Sequence, residues 1–468
     1  MSVPKSTFAL FLGNRGLFPA SLIAGARAEL TSTLNKLGHE VIALDEGATR
    51  YGAVETIQEA ALYANFLAEN RGKFDGVILS LPNFGDENGG VAALQDAGVP
   101  IFIQAYPDDM DKMSPDLRRD SFCGKLSMMD VFFQNDLKFT SLKPHVVAPS
   151  SPRFVQNIDH FDRVCRVVKG LRRMRVGALG ARTTPFKTVR VDEVALQRRG
   201  ITVETLDMAD VFARMRSVSA DSAVFKDKAA SLNAYAKFGA VPAGPMANLV
   251  RLAVVLDQIV DEFALDAYAI RCWREIQNEF NISPCVLLGE LSDRGVAGAC
   301  EVDIANAVMM HAFELASDAA VTLLDWNNNY LEEDDKCILF HCGPTPASMV
   351  QEGGRVTDHL MMDTAGGCGF GCHIGRLKPT DFTFGSLMTH NGDSRIYLGD
   401  GRFTDDPIPA DFFGVAGVAE MTKLQDVLQY IGEYGFRHHV AITPGHVTAP
   451  VAEAMGKYLG FKVALPQA

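Results

Sequence analysis

Eighteen apolar residues never follow one another in this 468-residue chain, so no hydrophobic segment of bilayer-spanning length is expected. The opening Met1–Ser6 runs straight into the apolar stretch Thr7–Gly13, too short for a span and unlike a secretory leader. An excess of basic residues is also missing. Lys and Arg number 44 against 57 Asp and Glu, a formal net charge of -13, which argues against a nucleic-acid partner. The nine cysteines are an odd number, scattered rather than patterned, which excludes a disulfide framework. Cys272, Cys285 and Cys300 lie in apolar strand-like runs, where a free thiol behaves as a small hydrophobe. Together these absences lead us to expect a cytoplasmic protein that binds neither membrane nor nucleic acid. A dinucleotide fingerprint is lacking as well, because Gly13-Asn-Arg-Gly-Leu-Phe18 does not follow the G-x-G-x-x-G order.

What the chain does have is core-forming material: 47% hydrophobic and 22% charged residues, the balance of a soluble globular protein. Its length calls for more than one domain. Phe8–Gly13, Val41–Leu44, Asp75–Pro82 and Val99–Gln104 read as buried strands. The helical stretches Ala20–Leu37 and Val54–Asn70 lie between them. Continuous apolar strands separated by helices indicate a parallel sheet covered on both faces. Ligands of such sheets sit beyond the strands' carboxyl ends, here the loops 13–16, 82–90 and 104–109. Arg175–Gly180, Met246–Phe263 and Tyr268–Trp273 repeat the strand and helix signals. From about Asp318 short alternating runs such as Ser394–Gly399 take over, with helical patterns at Ala419–Glu433 and Val447–Leu459. The expected fold class is α/β: two Rossmann-like or flavodoxin-like domains with parallel sheets, at 1–170 and 171–317. An antiparallel, barrel-like β domain at 318–468 follows.

Three segments can carry chemistry. Glu301 stands in Ala299-Cys-Glu-Val-Asp-Ile304, just ahead of the helix-like stretch Ile304–Ala316; it is either a reactive carboxylate or a charge favoured at a helix start. Asp325 ends the apolar run Thr322–Leu324, and three asparagines follow at 327–329; it can serve a site or begin a turn. Arg437-His-His-Val-Ala-Ile-Thr-Pro-Gly-His446 places three histidines around a short apolar run. Two carboxylates with one or two imidazoles suit Mn²⁺, Mg²⁺ or Co²⁺ better than a thiolate-bound metal. In contrast, Gly366–Ile374, with Cys368, Cys372 and His373, lacks a second cysteine pair for structural zinc. Glycines permitting close backbone approach in a tight β turn are the better account of it.

Glu301-Val-Asp303 with Asp325, 24 positions after Glu301, resembles the segment of L-fucose isomerases whose Glu and Asp bind Mn²⁺ and handle the proton. His439–His446 is similar to that family's C-terminal motif, which gives the ligand role to His439. His341, in Ile338-Leu-Phe-His-Cys-Gly343, matches a further histidine ligand of L-arabinose isomerases. The resemblance is at motif level from about Cys272 onward. It implies an aldose–ketose isomerase using Mn²⁺ (or Mg²⁺ or Co²⁺). Glu301 and Asp325 are its acid/base pair, and Glu301, Asp325, His439 and His341 are its metal ligands. It also implies a homo-oligomer, trimeric or hexameric, with the N-terminal domain contributing substrate and subunit contacts. Arg15, Asn83, Gln104, Trp326 and Asn327 are expected to face the sugar, with Asp86, Glu87 and Asn329 as weaker candidates. Within enzymes the rival is an isomerase of a modified sugar, one bearing a sulfonate or phosphate. A non-catalytic sugar-binding protein is the rival from another class.

Overall fold

The computed structural model describes residues 3–183, 185–239, 243–358 and 369–468. Two compact units divide it, Val3–Lys169 and Gly170–Ala468.

In the first unit, β1 (Phe8–Leu12), β2 (Val41–Ala43), β3 (Gly76–Leu81) and β4 (Ile101–Ala105) form a parallel sheet in the order β2-β1-β3-β4. Successive side chains of a strand point to opposite faces, and here both faces are covered. Phe8, Leu10 and Leu12 pack with Ile23, Leu30, Leu34 and Phe161 on one side. Ala9 and Phe11 pack with Tyr63, Leu67 and Phe132 on the other. That is why the strands read as unbroken apolar runs. The helix Ser21–Lys36 ends at Gly38, whose φ of 88° suits a residue without Cβ. The helix Ile57–Glu69 opens on a capping box: Thr56 Oγ1 accepts from Glu59 N at 3.2 Å, and Glu59 Oε2 accepts from Thr56 N at 3.1 Å. Such caps are worth about 1 kcal/mol.

The second unit repeats the arrangement and then departs from it. Strands β5 (Arg175–Leu179), β6 (Thr202–Leu206), β7 (Ala267–Ile270) and β8 (Ala297–Cys300) are again parallel, in the order β6-β5-β7-β8. The helix Ala243–Phe263 is long and apolar enough to cross a membrane, but Leu249, Val250, Leu252, Leu256 and Ile259 are buried in this sheet's core. It is a core helix.

Next come β9 (Thr322–Tyr330), β10 (Glu333–His341), β11 (Arg355–Asp358), β12 (Phe370–Arg376), β13 (Thr380–His390), β14 (Asp393–Phe403), β15 (Val415–Glu420), β16 (His439–Pro444) and β17 (Lys462–Ala464). Six of them close antiparallel into a barrel, β15-β10-β9-β16-β13-β14 and back to β15. Leu324, Leu339, Phe382, Phe384, Tyr397, Phe403 and Val440 are among the residues of its core. The expected fold class, two parallel α/β sheets followed by an antiparallel barrel-like domain, is the one observed.

The helix Ile304–Ser317 is buried on nearly every side, as an internal helix must be to satisfy its apolar surface. It joins the second sheet to the barrel: Asn306 Oδ1 accepts from Ser386 Oγ at 2.9 Å and from Leu387 N at 3.2 Å.

Three local expectations are corrected. The asparagines after Asp325 do not form a turn; β9 runs through them, because its pairing with β10 satisfies their backbone. Ala419 and Glu420 belong to β15 rather than to a helix, which starts at Leu424. Gln104 lies within β4, not in the loop after it. Cys368 lies outside the described residues. Cys372 and His373 lie in β12, and the two ring nitrogens of His373 stand 2.9 Å from the carbonyl oxygens of Thr345 and Gly353. Gly371, at φ 128°, lets that strand approach Ser283, whose carbonyl oxygen would be 2.1 Å from an added Cβ.

Candidate active site and metal centre

The carboxyl ends of the second sheet face one edge of the barrel. Phe186 follows β5, Trp273 follows β7 and Glu301 follows β8. The barrel contributes Asp325, Asn327 and Asn328 from β9, with Phe340, His341 and Cys342 from the end of β10. Phe412 and Phe413 complete a cavity of about 460 Å³, within the range of small-molecule sites. A larger concavity of about 820 Å³, around Arg27, Lys36 and Glu46, has no histidine or cysteine among its described lining residues.

Strand register brings the ligand candidates together. In the barrel β9 lies between β10 and β16, so His341, Asp325 and His439 stand on three neighbouring strands. His439 is paired directly with Asp325, and Phe340, next to His341, is Asp325's partner on the other side. The register slips between Ile338 and Leu339, whose partners are Asn328 and Trp326. Asn327 is therefore the extra residue of a β-bulge, the device that re-aims side chains beside sites. Glu301 arrives from the α/β side. Its backbone and that of Val302 both have φ of 61°, a left-handed conformation costly for a β-branched residue. The turn is held by hydrogen bonds from Val302 N to Ile270 O (3.2 Å) and from Asp303 N to Cys300 O (3.0 Å).

Four polar atoms converge here without a hydrogen-bond partner: Glu301 Oε2, Asp325 Oδ1, His341 Nε2 and His439 Nε2. His439 Nε2 is 3.0 Å from Glu301 Oε2, though misaligned for a hydrogen bond, and 3.6 Å from Asp325 Oδ1. Donor atoms of Glu301, His341 and His439 all lie within 4.8 Å of one another. Ligands around a small divalent cation, at about 2.1 Å from it, stand about 3 Å apart. Buried polar atoms are rarely left unpaired. Two carboxylates and two imidazoles are a donor set that fits a Mn²⁺-like ion once the rings have given up their protons.

The remaining atoms of the same groups are fixed. Trp273 Nε1 donates to Glu301 Oε1 at 3.1 Å. His439 Nδ1 is 2.9 Å from Asp303 Oδ2, which orients the ring and leaves Nε2 facing the cavity. Asp303 is fully buried and caps the helix Ile304–Ser317. Its oxygens also accept from Asn306 N, from Asn306 Nδ2 and from the buried Arg437 guanidinium. Burial would raise its carboxyl, but the Arg437 charge and the His439 contact outweigh that and hold it well below the usual range. Burial likewise opposes ionisation of Glu301, yet His439, with His341, keeps that carboxyl below its ordinary value. The two imidazoles respond in the opposite sense. Burial would lower them, but Asp303 and Glu301 push His439 up to about 10, and Cys342, Asp325 and Glu301 push His341 up to about 9. Without a cation, the site therefore draws protons onto its imidazoles.

The other candidates are placed differently. Asn327 lines the cavity, but Trp326 turns away from it: its ring packs against Phe384 and Nε1 donates to Tyr397 Oη at 3.0 Å, in the barrel core. Asn329 Nδ2 donates to Leu331 O. In the first unit, Gln104 accepts from Ser80 Oγ and donates to Val147 O. Asn83 is fully buried, bonding Asn14, Arg15 N and Gly85 N. Arg15 lies over the Phe84 ring and pairs with Glu87. Asp86 caps the helix Glu87–Leu94. Asp303, Arg437, Trp273 and Phe186 belong to the site in addition to the expected residues. Of these only Asp303 carried a usable signal, an acidic residue where a helix cap belongs.

A strained carboxylate turn at the end of a parallel sheet, set against imidazoles on a barrel edge, is a grouping of side chains that could hold a divalent cation. Comparisons with known proteins place the chain among sugar isomerases. Residues 9–172 match the family model described as Fucose/sulfoquinovose isomerase, N-terminal domain, and residues 339–465 match L-fucose isomerase, C-terminal domain. A sulfoquinovose isomerase of Alkalicoccus urumqiensis is 23% identical over 390 residues, covering 83% of this chain and 85% of its own. That of Priestia aryabhattai is 23% identical over 420 residues, covering 87% and 89%. One from Clostridium sp. (strain MSTE9) is 25% identical over 305 residues, covering 64% and 66%. The chain belongs to the fucose-isomerase-like family, whose members are aldose–ketose isomerases.

Proposed function

We propose that this protein is a divalent-cation-dependent isomerase that interconverts a sulfonated aldose and its ketose. The observation that carries the chemistry is the convergence of four unpartnered buried atoms from Glu301, Asp325, His341 and His439. The sulfonated substrate rests on the relatives, which are sulfoquinovose isomerases. Glu301, Asp325, His341 and His439 would hold Mn²⁺, or Mg²⁺ or Co²⁺ in its place. A cation held there would supply Lewis-acid polarisation to the carbonyl and neighbouring hydroxyl of an open-chain sugar.

The chain's own groups do the rest. Glu301, ionised and oriented by Trp273, removes the proton from one carbon. Asp325 stands on the facing strand to handle the proton exchanged with the sugar's oxygens and the neighbouring carbon. Phe186, Phe340, Phe412 and Phe413 line the cavity and keep water from the carbanionic intermediate. Asn327 and Asn328 offer amides to hydroxyl groups beyond C2. Assembly into a trimer or hexamer in the cytoplasm belongs to the same reading, and light scattering measures the former.

A neutral aldose is the second reading. None of the described residues lining the cavity is lysine or arginine, the side chains that usually bind a sulfonate. An aldose panel with Mn²⁺ decides between them. Ketose formation from sulfoquinovose, far faster than from L-fucose, L-arabinose or glucose, is the expected result. Turnover of the neutral sugars alone would move the assignment to them, and no turnover with or without Mn²⁺ would favour a binding protein.

The site's proton affinity gives a further expectation. Imidazole ligands must be neutral, whereas His341 and His439 are pushed up to about 9 and about 10 without a cation. Raised imidazoles stabilise the cation-free protein fully below about 6.5, and that contribution is lost as pH rises through the folded values. The cation-free melting temperature should fall over this range, while the gain on adding Mn²⁺ should grow. At pH 7 uptake should release protons, read by calorimetry in buffers of different ionisation enthalpy. Proton-neutral binding would contradict imidazole ligation.

A further inference from the structure

The isomerisation proposed above uses no thiol, yet two thiols sit directly behind its base. Cys272, just after β7, precedes Trp273, and Cys300, the last residue of β8, precedes Glu301. The two segments are joined twice. Trp273 Nε1 donates to Glu301 Oε1 at 3.1 Å, and Cys300 Sγ donates to Cys272 Sγ, also at 3.1 Å, with both thiols free. Cys272 and Cys300 are buried, and buried thiols left to themselves are inert towards oxidants. Cys342, just after β10, has the access they lack: it is half-buried and lines the cavity. Its sulfur, that of Cys300 and a ring nitrogen of His341 lie within 4.8 Å of one another. An accessible thiol beside a resolving thiol is the arrangement of redox-sensing sites.

We propose that Cys342, Cys300 and Cys272 form a relay, driven by hydrogen peroxide, that ends in a Cys272–Cys300 disulfide and displaces Glu301. Cys342 attacks one peroxide oxygen; its S–O bond forms as the O–O bond breaks, and the thiol proton leaves with the other oxygen as water. Cys300 then attacks the Cys342 sulfur. The sulfenic hydroxyl departs with the Cys300 proton as a second water, leaving a Cys300–Cys342 disulfide. Cys272 attacks Cys300 by thiol–disulfide exchange, and its proton returns to Cys342. The sum is two thiols and one peroxide giving one disulfide and two waters. Closing the Cys272 and Cys300 sulfurs to about 2.05 Å draws them together by about 1 Å. The turn beyond Cys300 is already left-handed at Glu301 and Val302 and has little freedom to absorb that movement, so the carboxylate shifts against Trp273. That the shift slows turnover rests on the isomerase reading, where misplacing a reacting group by about 1 Å costs about 10²-fold.

The test uses the reduced full-length protein, hydrogen peroxide as the probe, and peptide mass spectrometry after iodoacetamide has capped the remaining thiols. Peptides carrying Cys272 and Cys300 should be linked, with Cys342 capped as a free thiol, and a phosphine should undo the link. Cys342→Ser should lose the link at equal peroxide exposure, whereas Cys123→Ser, at an exposed thiol of the first unit, should keep it. Cys272→Ser should stop at the Cys300–Cys342 disulfide. No link, overoxidation of Cys342 without a bond to Cys300, or an equal Cys272–Cys300 yield in Cys342→Ser overturns the relay. Displacement is read separately. The chain has two tryptophans, so in Trp326→Phe the emission belongs to Trp273, and its maximum should shift on oxidation and return with the phosphine. A link formed with an unmoved maximum leaves Glu301 in place and overturns the switch. Neither readout involves a metal or a sugar, so their failure is distinguishable from failure of the isomerase reading.

Discussion

Glu301→Gln should lower isomerisation by about 10²–10⁴-fold, the range for losing a general base, while leaving the melting temperature within a few degrees of the parent. The substitution is nearly isosteric, and the amide can still accept from Trp273 Nε1, so the turn from Cys300 to Asp303 keeps its hydrogen bonds. What disappears is the carboxylate that faces His439 Nε2 at 3.0 Å. Loss should fall on kcat more than on KM, because a base acts on the transition state rather than on the bound sugar. Exchange of the C2 proton with solvent deuterium should stop in parallel. A variant that keeps near-full turnover on a confirmed substrate would remove Glu301 from the chemistry. One that loses only Mn²⁺ affinity, with full rate at saturating Mn²⁺, would make it a ligand alone.

Legibility followed the physics of each element. The parallel strands were readable because both faces are buried, so Phe8–Leu12 and Gly76–Leu81 show no polar alternation. Glu301 was readable as a carboxylate at a strand-to-helix junction, and β8 and the helix Ile304–Ser317 flank it as expected. Its left-handed backbone was not, because neither Glu nor Val advertises a positive φ. Trp326 was assigned to the sugar with its neighbour Asp325, but the two are consecutive residues of β9 in one register, and successive side chains of a strand point to opposite faces. The asparagines looked like a turn, but their local preference is overridden by pairing with a distant strand. Gln104 looked like a loop residue because a polar side chain ending an apolar run gives no hint that Ser80 and Val147 wait to satisfy it. Asp303 and Arg437 meet across 134 positions, a contact no local pattern contains.

That contact carries the second large effect. Asp303→Asn should weaken Mn²⁺ binding by about 10–100-fold, the usual loss when the partner of a metal-bound imidazole is changed. Asparagine can still cap the helix Ile304–Ser317, so the helix start survives. The buried Arg437 loses its counter-charge, however, and leaving a buried charge unpaired costs about 3–5 kcal/mol. Asp303→Asn combined with Arg437→Met removes both charges and should recover much of the stability without recovering the cation. The pH profile separates positioning from simple destabilisation. Asp303 is one of the groups that hold His439 up near about 10, so without it the imidazole deprotonates more readily. The pH midpoint for Mn²⁺ uptake should therefore move down, even as the limiting affinity at high pH falls. A purely structural role predicts weaker binding with an unmoved midpoint, and that outcome would return Asp303 to the scaffold.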